Sequence, residues 1–326
     1  MKRNTRQLLM GAFAAAALMA SALPASAQEF PTRPLRMLVG FPPGGSTDVI
    51  ARDISAELSK VLGQPVVVEN KVGVNGILAS DALAKSPPDG YTLQLVIPSN
   101  VTNAFIYSKL PYDPRKDMTP VAVVASAPMV MVVSPGLGVN TLKEFIARAR
   151  AAPGAINSGA AGTGSTPSLA LDLLGQTAGF KTTSVNYPGS SPQMLGLLRN
   201  DVQVAFATTV QALPYVKDNR LKALAVSSAT RHPLLPDVPS VQEAGVPGYE
   251  SVAWFGVFAA PGTPAPIVAK LNAELTRISS LPAMQGRLRA QGADPASSSA
   301  RQFQDFVAGE FVKWEQFFKL NPMKLD

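Results

Sequence analysis

Short apolar runs alternate with stretches of helical periodicity along most of the chain. The first run, LRMLVG, starts at Leu35, and the longest, SVAWFGVFAA, starts at Ser251. Alternation of this kind predicts an α/β fold with mainly parallel sheets. The other predicted strands are PVVVEN, TLQLVI, VAVVA, MVMVV, AINSGA, TTSVNY, VQVAFA and LKALAV, and the predicted helices begin near Thr47, Gly76, Asn100, Thr141, Thr166, Pro192, Val210, Val241, Pro266 and Ser299.

The segment TDVIARDISAELSKVL carries a one-sided apolar stripe that includes Val49, Ile50 and Ile54. This spacing predicts an amphipathic helix whose apolar face packs on the core. Asp48 falls in its first turn and Arg52 lies four residues later, so we expect an ion pair that also suits the helix dipole. Asp48 is therefore interpreted as structural and not as a contact for an anionic ligand.

The length of the chain favours two α/β lobes over one. Two segments could cross between the lobes. VVASAPMVMVVSP joins two strand-like runs without a helix, and GYESVAWFGVFAAPG follows a proline-rich stretch. These crossings predict one lobe made of residues 28–127 and 252–326, and a second lobe made of residues 128–251.

The first 27 residues have the features of a cleaved secretory signal peptide: Lys2, Arg3 and Arg6, then LLMGAFAAAALMA, then Ala25-Ser26-Ala27. An uncleaved N-terminal anchor is the alternative. Cleavage would remove three positive charges from a net charge of +7 and leave +4. Because the basic residues are scattered, nucleic acid is not expected as a partner. The absence of cysteine excludes disulfides and thiol catalysis.

The sequence gives little support for catalysis. The single histidine, His232, has no G-x-S-x-G elbow to serve, and it is interpreted as a loop or surface residue. Neither a metal site nor a cofactor is expected, because the sequence has no histidine cluster and no P-loop. GAAGTGSTP has Pro167 where a dinucleotide-binding loop needs its third glycine, so a capped helix start explains it better.

One arrangement recurs at five places: a strand ends, a loop rich in Gly, Pro, Ser or Thr follows, and a helix begins. The loops contain PPGGSTD, IPSNVTN, GTGSTPS, YPGSSPQ and FATTVQ. The first N–H groups of a helix lack internal partners and carry partial positive charge, and glycine lets an anion approach them. Each loop alone is explained by helix capping. Their recurrence at the carboxyl ends of strands favours an anion bound in a cleft.

FPPGGSTDVIAR resembles the P-x-G-G-x-x-D-x-x-A-R segment of Bug-type periplasmic receptors of tripartite tricarboxylate transporters. VVVENKVGVNGILASDALAKSPPDGYTL, TSVNYPGSSPQMLGLLRNDVQVAF and the long segment from LKALAV to LNAEL are similar to that family too. The resemblance covers nearly all of the mature chain, in order. It implies a type II periplasmic-binding fold, in which two α/β lobes close on a small organic carboxylate, and a periplasmic location.

In the family, the first helix loop and a tyrosine-containing loop of the other lobe hold one carboxylate, partly through water. Here these loops are Phe41 to Asp48 and Tyr187 to Ser191. In the first loop, Ser46 or Thr47 is expected to cap the helix or to donate to the ligand. The candidate ligand-binding residues are Phe41, Pro43, Gly44, Gly45, Ser46, Thr47, Ser99, Asn100, Thr163, Ser165, Thr166, Ser168, Tyr187, Gly189, Ser190, Thr208 and Thr209.

Two positions depart from the family pattern, because Pro188 replaces a lysine and Ser168 replaces a histidine that are common there. Both changes remove a side chain that could carry positive charge. We therefore expect backbone N–H groups, hydroxyls and water to hold the carboxylate. Apolar candidates for the rest of the cleft are Phe41, Tyr187, Phe206 and Trp254, which suggest a ligand with an apolar or aromatic body. For Phe206, packing in the core is an equally good explanation.

The resemblance implies a receptor, expected to be a monomer, that delivers a small organic mono- or dicarboxylate to the permease subunits of a tripartite tricarboxylate-type transporter. One alternative is a sensor that presents the same ligand to a membrane signalling protein. A second alternative is an exported α/β hydrolase, since one fold serves many functions. The lack of cysteine and of a usable histidine counts against the hydrolase.

Overall fold

The computed structural model describes residues 30–162, 164–320 and 322. The predicted signal peptide, residues 1–27, and the candidate site residue Thr163 lie outside the described residues. From Arg33 onward the described residues form one compact unit. None of the helices in the described ranges is both long enough and apolar enough to cross a membrane.

Strands and helices alternate through most of the described chain. The strands are β1 (Leu35–Val39), β2 (Val66–Asn70), β3 (Thr92–Val96), β4 (Thr119–Val133), β5 (Asn157–Ala160), β6 (Thr183–Asn186), β7 (Val204–Thr208), β8 (Lys222–Val226), β9 (Val252–Ala259) and β10 (Asp294–Pro295). The helices are α1 (Ser46–Leu62), α2 (Ile77–Ala84), α3 (Ser99–Ile106), α4 (Leu142–Ala151), α5 (Thr166–Ala178), α6 (Ser190–Leu198), α7 (Thr209–Lys217), α8 (Ala265–Ser280), α9 (Pro282–Ala290) and α10 (Ala300–Leu320).

The strands form a single path in the order β2-β1-β3-β9-β4-β7-β5-β6, with β8 and β10 also paired to β4. Pairing is parallel between β1 and its two neighbours, and between β5 and its two neighbours. The loops that follow β1, β3, β5, β6 and β7 therefore leave from carboxyl ends of strands. This is where open α/β sheets place ligands.

Strand β4 links the two halves of the sheet. Its first part, Thr119 to Pro128, pairs antiparallel with β9, and its last part, Met129 to Val133, pairs with β7 and β8. Buried clusters flank both parts, one around Leu38 and Phe303 and others around Phe145 and Leu197. The two-lobe α/β class predicted from the sequence is confirmed. The expectation of mainly parallel sheets is wrong, because β4 and β9 run antiparallel to the strands they pair with and make the sheet mixed. The change of partners lies beside the predicted crossing at residue 128, but the lobe boundaries themselves stay a prediction.

Most of the predicted elements are present, with three differences. VAVVA and MVMVV are parts of one strand, β4, which runs through Pro128 without a break. The helix expected near Val241 is wrong: a turn ends at Gly245, whose φ of +104° and following Pro247 stop it. Helix α9 was not predicted, although proline is common at the first position of a helix and Pro282 holds that position here.

Candidate functional site

The loop between β1 and α1 is held in shape by a buried carboxylate. Gly44 has a φ of +78°, and its N–H donates to Oδ2 of Asp48 at 2.9 Å. Arg52 Nη2 lies 2.9 Å from Asp48 Oδ1, and Asn70 Nδ2 donates to the same oxygen at 2.9 Å. The predicted ion pair between Asp48 and Arg52 is therefore confirmed.

Asp48 keeps its charge balanced inside this loop. Burial acts to raise its pKa, but hydrogen bonds from Arg52, the Gly44 N–H and Asn70 outweigh burial and lower the pKa below the ordinary aspartate value. Asp48 is thus an anion at neutral pH, and Arg52 is the cation that offsets it. Because the pair is neutral overall, it leaves the helix N-terminus free to attract a second anion.

The loop between β6 and α6 lies against this first loop. A Cβ at Gly189, where φ is +128°, would lie 2.7 Å from Cδ of Pro42. Cβ atoms at Gly44 and Gly45 would each lie 3.9 Å from Oγ of Ser191. The two loops that sequence reasoning paired are therefore in contact, and Pro42 and Ser191 join the predicted residues Gly44, Gly45 and Gly189 at that contact.

A second contact joins the loop between β5 and α5 to helix α3. Thr102 Oγ1 donates to the carbonyl of Gly164 at 3.1 Å, and a Cβ at Gly164 would lie 2.0 Å from Cδ1 of Ile106. Nearby, a Cβ at Gly162 would lie 2.4 Å from Oδ1 of Asn75. Thr102 and Ile106 were not predicted, because nothing in the α3 sequence marks them as different from core residues.

The helices that start at these loops begin without a side-chain cap. The N-cap residues are Gly45 for α1, Ser165 for α5, Gly189 for α6 and Thr208 for α7, and none of their side chains accepts a capping bond. The expected cap from Ser46 or Thr47 is therefore wrong, since Gly45 takes the N-cap position. The capped start expected for GTGSTP is also not formed.

Several hydroxyls at these helix starts are buried with no hydrogen-bond partner among the described residues. They belong to Ser165, Thr166, Ser191 and Thr208. The first two residues and Thr208 are each more than nine-tenths buried. A buried hydroxyl without a partner costs about 1–3 kcal/mol. Such groups are retained where a ligand or water supplies the partner, so they support a binding site at these helix starts.

The remaining loop residues differ in exposure. Ser46 and Thr47 are buried in the first turn of α1, Phe41 is half-buried and close to Gly76, and Pro43 is exposed. Ser168 and Ser190 are half-buried in the first turns of α5 and α6, and Ser99 is buried with its hydroxyl 3.4 Å from the carbonyl of Asn75.

Two predicted site side chains make other contacts in the structure. Asn100 Oδ1 accepts bonds from Ser80 at 3.1 Å and from Tyr112 at 2.8 Å, so its amide belongs to a buried network beneath α3. Thr209 Oγ1 donates to the carbonyl of Pro128, where β4 changes partners. In both cases the side chain is held by a hydrogen bond to a buried group of the scaffold.

The expected apolar lining is wrong for two of its four members. Phe206 is fully buried and stacks on Tyr249 in the core. Trp254 is buried against Phe303, and its Nε1 donates to Glu310 at 3.1 Å. The Tyr187 side chain is half-buried and packs over Gly196 on α6, while its backbone N–H donates to the carbonyl of Ala160.

His232 is in a loop, as expected, but it is buried and not on the surface. Burial lowers its pKa, and the negative charge of Asp294 and the nearby Gly292 backbone oppose this effect without cancelling it. Its Nδ1 accepts the N–H of Leu234 at 3.2 Å. Within the described ranges, no group of three or more His, Asp or Glu side chains is arranged to hold a metal ion.

Comparisons with known proteins agree with the fold. The family model described as the tripartite tricarboxylate transporter family receptor matches residues 50–321. Protein BugT of Bordetella pertussis is 35% identical over 326 residues, which cover 99% of each chain. The structure of R. palustris Rpa4515 with adipate has a TM-score of 0.88 at 36% identity, covering 91% of this chain and 100% of that one. MatC of Rhodopseudomonas palustris with bound malate has a TM-score of 0.82 at 34% identity, covering 88% of this chain and 99% of that one.

Proposed function

Because the chain belongs to the tripartite tricarboxylate transporter receptor family, we propose that it captures a small organic carboxylate between its lobes and delivers it to the permease subunits of such a transporter. Receptors of this family are periplasmic solute-binding proteins and not enzymes. The proposal places this chain in the periplasm after removal of residues 1–27. A monomer is sufficient for the proposed capture, since both loops in contact come from one chain.

The observation that carries the proposal is the meeting of two uncapped helix N-termini, those of α1 and α6, with the buried Ser191 hydroxyl at the contact between the loops 41–45 and 189–191. Unpaired N–H groups at helix starts attract negative charge, and glycine lets a carboxylate reach them. The hydroxyls of Ser165, Thr166 and Thr208 supply further donors. Residues 28–127 with 252–326 are the proposed first lobe, and residues 128–251 the second.

The proposed donors are neutral. Arg52 is the cation that contacts the first loop in the described structure. Its guanidinium is bound to Asp48 and Asn70. Pro188 and Ser168, in the loops of the proposed site, carry no positive charge. A carboxylate held in this way gains charge-assisted hydrogen bonds without a titrating cation. Solved neighbours with adipate and with malate make small aliphatic dicarboxylates the first compounds to test.

The experiment is a calorimetric and thermal-shift screen against aliphatic, hydroxylated and aromatic carboxylates, including adipate and malate. 1,6-Hexanediol serves as the uncharged analogue of adipate. A ligand present at 100 times its Kd adds about 2.7 kcal/mol to the stability of the folded state. We expect at least one carboxylate to bind and the diol to be silent. Failure of every carboxylate, or equal binding of the diol, would contradict the proposal.

Delivery to a permease needs a separate measurement. Membranes that contain the permease subunits should retain the receptor more strongly when the bound carboxylate is present than when it is absent. Retention by a membrane signalling protein instead of the permease would favour the sensor alternative. Turnover of the bound carboxylate would favour the hydrolase.

A further inference from the structure

The two places where the chain crosses between the halves of the sheet lie next to one another. One is the Pro128–Met129 step in β4, where the strand partner changes from β9 to β7 and β8. The other is Ser251–Val252, where the chain enters β9. Any rotation of one lobe against the other has to pass through both steps.

A single buried serine binds both crossings. Ser227 follows the end of β8 and is fully buried. Its hydroxyl accepts the N–H of Met129 at 2.7 Å and donates to the carbonyl of Ser251. Its backbone repeats the pattern, because its N–H donates to Met129 O at 2.7 Å and its carbonyl accepts the Ser251 N–H at 3.0 Å.

The hydroxyl is the only part of this arrangement that touches both crossings with one atom. Backbone bonds alone tie Ser227 to each strand separately, as any residue at that position could. An alanine would keep those backbone bonds but leave the Met129 N–H and the Ser251 carbonyl buried without their partner. Such groups are costly in a dry interior.

We propose that Ser227 couples the two hinge strands. Its hydroxyl bonds to both crossings, so that they rotate as one unit when the lobes open and close. The role differs from ligand binding, because Ser227 lies at the crossings and not at the helix starts of the site. It rests on the two-lobe fold and not on the identity of the ligand. Coupled crossings restrict the rotation of one lobe against the other to one axis, whereas two independent crossings would also let the lobes twist.

The test measures the distance between the lobes directly. The chain has no cysteine, so spin labels can be placed at Lys109→Cys and Lys143→Cys, two exposed positions in different halves of the molecule. Distance distributions are recorded without added ligand for the labelled parent, for Ser227→Ala and for Ser228→Ala. Ser228 is the matched control, because its hydroxyl donates only to the nearby carbonyl of Thr230.

We expect Ser227→Ala to broaden the distribution about twofold, because twisted arrangements become populated, and Ser228→Ala to leave it unchanged. Equal distributions in the two variants would overturn the proposal. If Ser227→Ala does not fold, amide exchange in the unmodified protein decides. The Met129 and Ser251 amides should then exchange at rates within about tenfold of one another. Exchange of the Met129 amide about 100-fold faster would show that the hydroxyl bridge is not maintained.

Discussion

Helices α4 and α10 begin with the same kinds of residue as α5 and α7 but use these residues differently. At α4, which lies outside the site, the Thr141 hydroxyl accepts the N–H of Glu144 at 3.1 Å. At α10, Ser299 and Gln302 form a reciprocal capping box. At α5 and α7, Ser165 and Thr208 hold the same N-cap position, but their hydroxyls are buried and make no capping bond.

The difference shows what the proposed site costs the fold. A cap contributes about 1 kcal/mol, and an unpaired buried hydroxyl costs a similar amount or more. The hydroxyls at α4 and α10 stabilise the protein, whereas those at α5 and α7 make no bond in the described structure and are the proposed donors to the ligand. Residue type at the N-cap therefore says little about function. What distinguishes the site is that the cap is available and not formed.

The largest effect is expected at the contact between the loops. Gly189→Ala would put a Cβ 2.7 Å from Cδ of Pro42 and should lower the affinity for the bound carboxylate at least about 100-fold, or about 2.7 kcal/mol. Calorimetric titration measures it. Gly245→Ala is the control, because its φ is also positive but its Cβ would meet nothing within 4 Å. Equal losses in both variants would mean that backbone strain, and not the loop contact, is responsible.

The unused hydroxyls should favour binding and cost the ligand-free protein stability. Ser165→Ala and Thr208→Ala should each weaken carboxylate binding about fivefold, near 1 kcal/mol, because each removes one donor. The free energy of unfolding without ligand should rise by about 1 kcal/mol, because each change removes a buried hydroxyl that has no partner. Denaturant titration and calorimetry measure the two quantities. A large loss of stability with intact binding would reverse the comparison.

The capping hydroxyl of Thr141 at the start of α4 should affect folding and not binding. Thr141→Ala removes the acceptor for the Glu144 N–H and should lower the free energy of unfolding by about 1 kcal/mol. Carboxylate affinity should not change, since α4 lies outside the contacts that form the site. Ser299→Ala, which opens the capping box of α10, provides an independent repeat. Denaturant titrations that show no loss in either variant would remove the stabilising half of the comparison.

A smaller effect is expected from His232. Its pKa is lowered in the folded protein by burial, so the unfolded chain binds its proton at a higher pH than the folded protein does. The contribution of His232 is therefore fully present above the unfolded pKa of about 6.5 and is lost as pH falls toward the folded pKa. Unfolding free energies at pH 7.5 and 5.5 should differ more for the parent than for His232→Gln. The same pH dependence in both would contradict this assignment.

The smallest expected change concerns ligand affinity. Because the proposed donors are backbone N–H groups and hydroxyls, affinity for a carboxylate that is ionised throughout should vary less than about twofold between pH 6 and 8. Calorimetry at three pH values measures it. A tenfold loss across that interval, about 1.4 kcal/mol, would show that a titrating group reaches the ligand.

Sequence patterns were reliable where one local rule decided the outcome. The period of the apolar residues located β1 and α1, and the spacing of Asp48 and Arg52 predicted their ion pair. The patterns failed where a neighbour distant in sequence decided. Asn100 looked like a loop ligand, but Ser80 and Tyr112 hold its amide. The hydroxyls of Ser165 and Thr208 were predicted to be caps from their local sequence. The local sequence could not show that they lack a partner, because this depends on packing between loops.

The position of β9 in the sheet has a consequence for how the chain is made. In space β9 lies between β3 and β4, yet it is synthesised only after all of residues 134–251. Until Val252–Ala259 has emerged, β3 lacks one neighbour and the first part of β4 lacks its main partner. Pairings between distant segments fold slowly. We expect the nascent chain to remain without a finished sheet through most of translation. For the proposed periplasmic location, this delay leaves time for export to begin before the native structure closes.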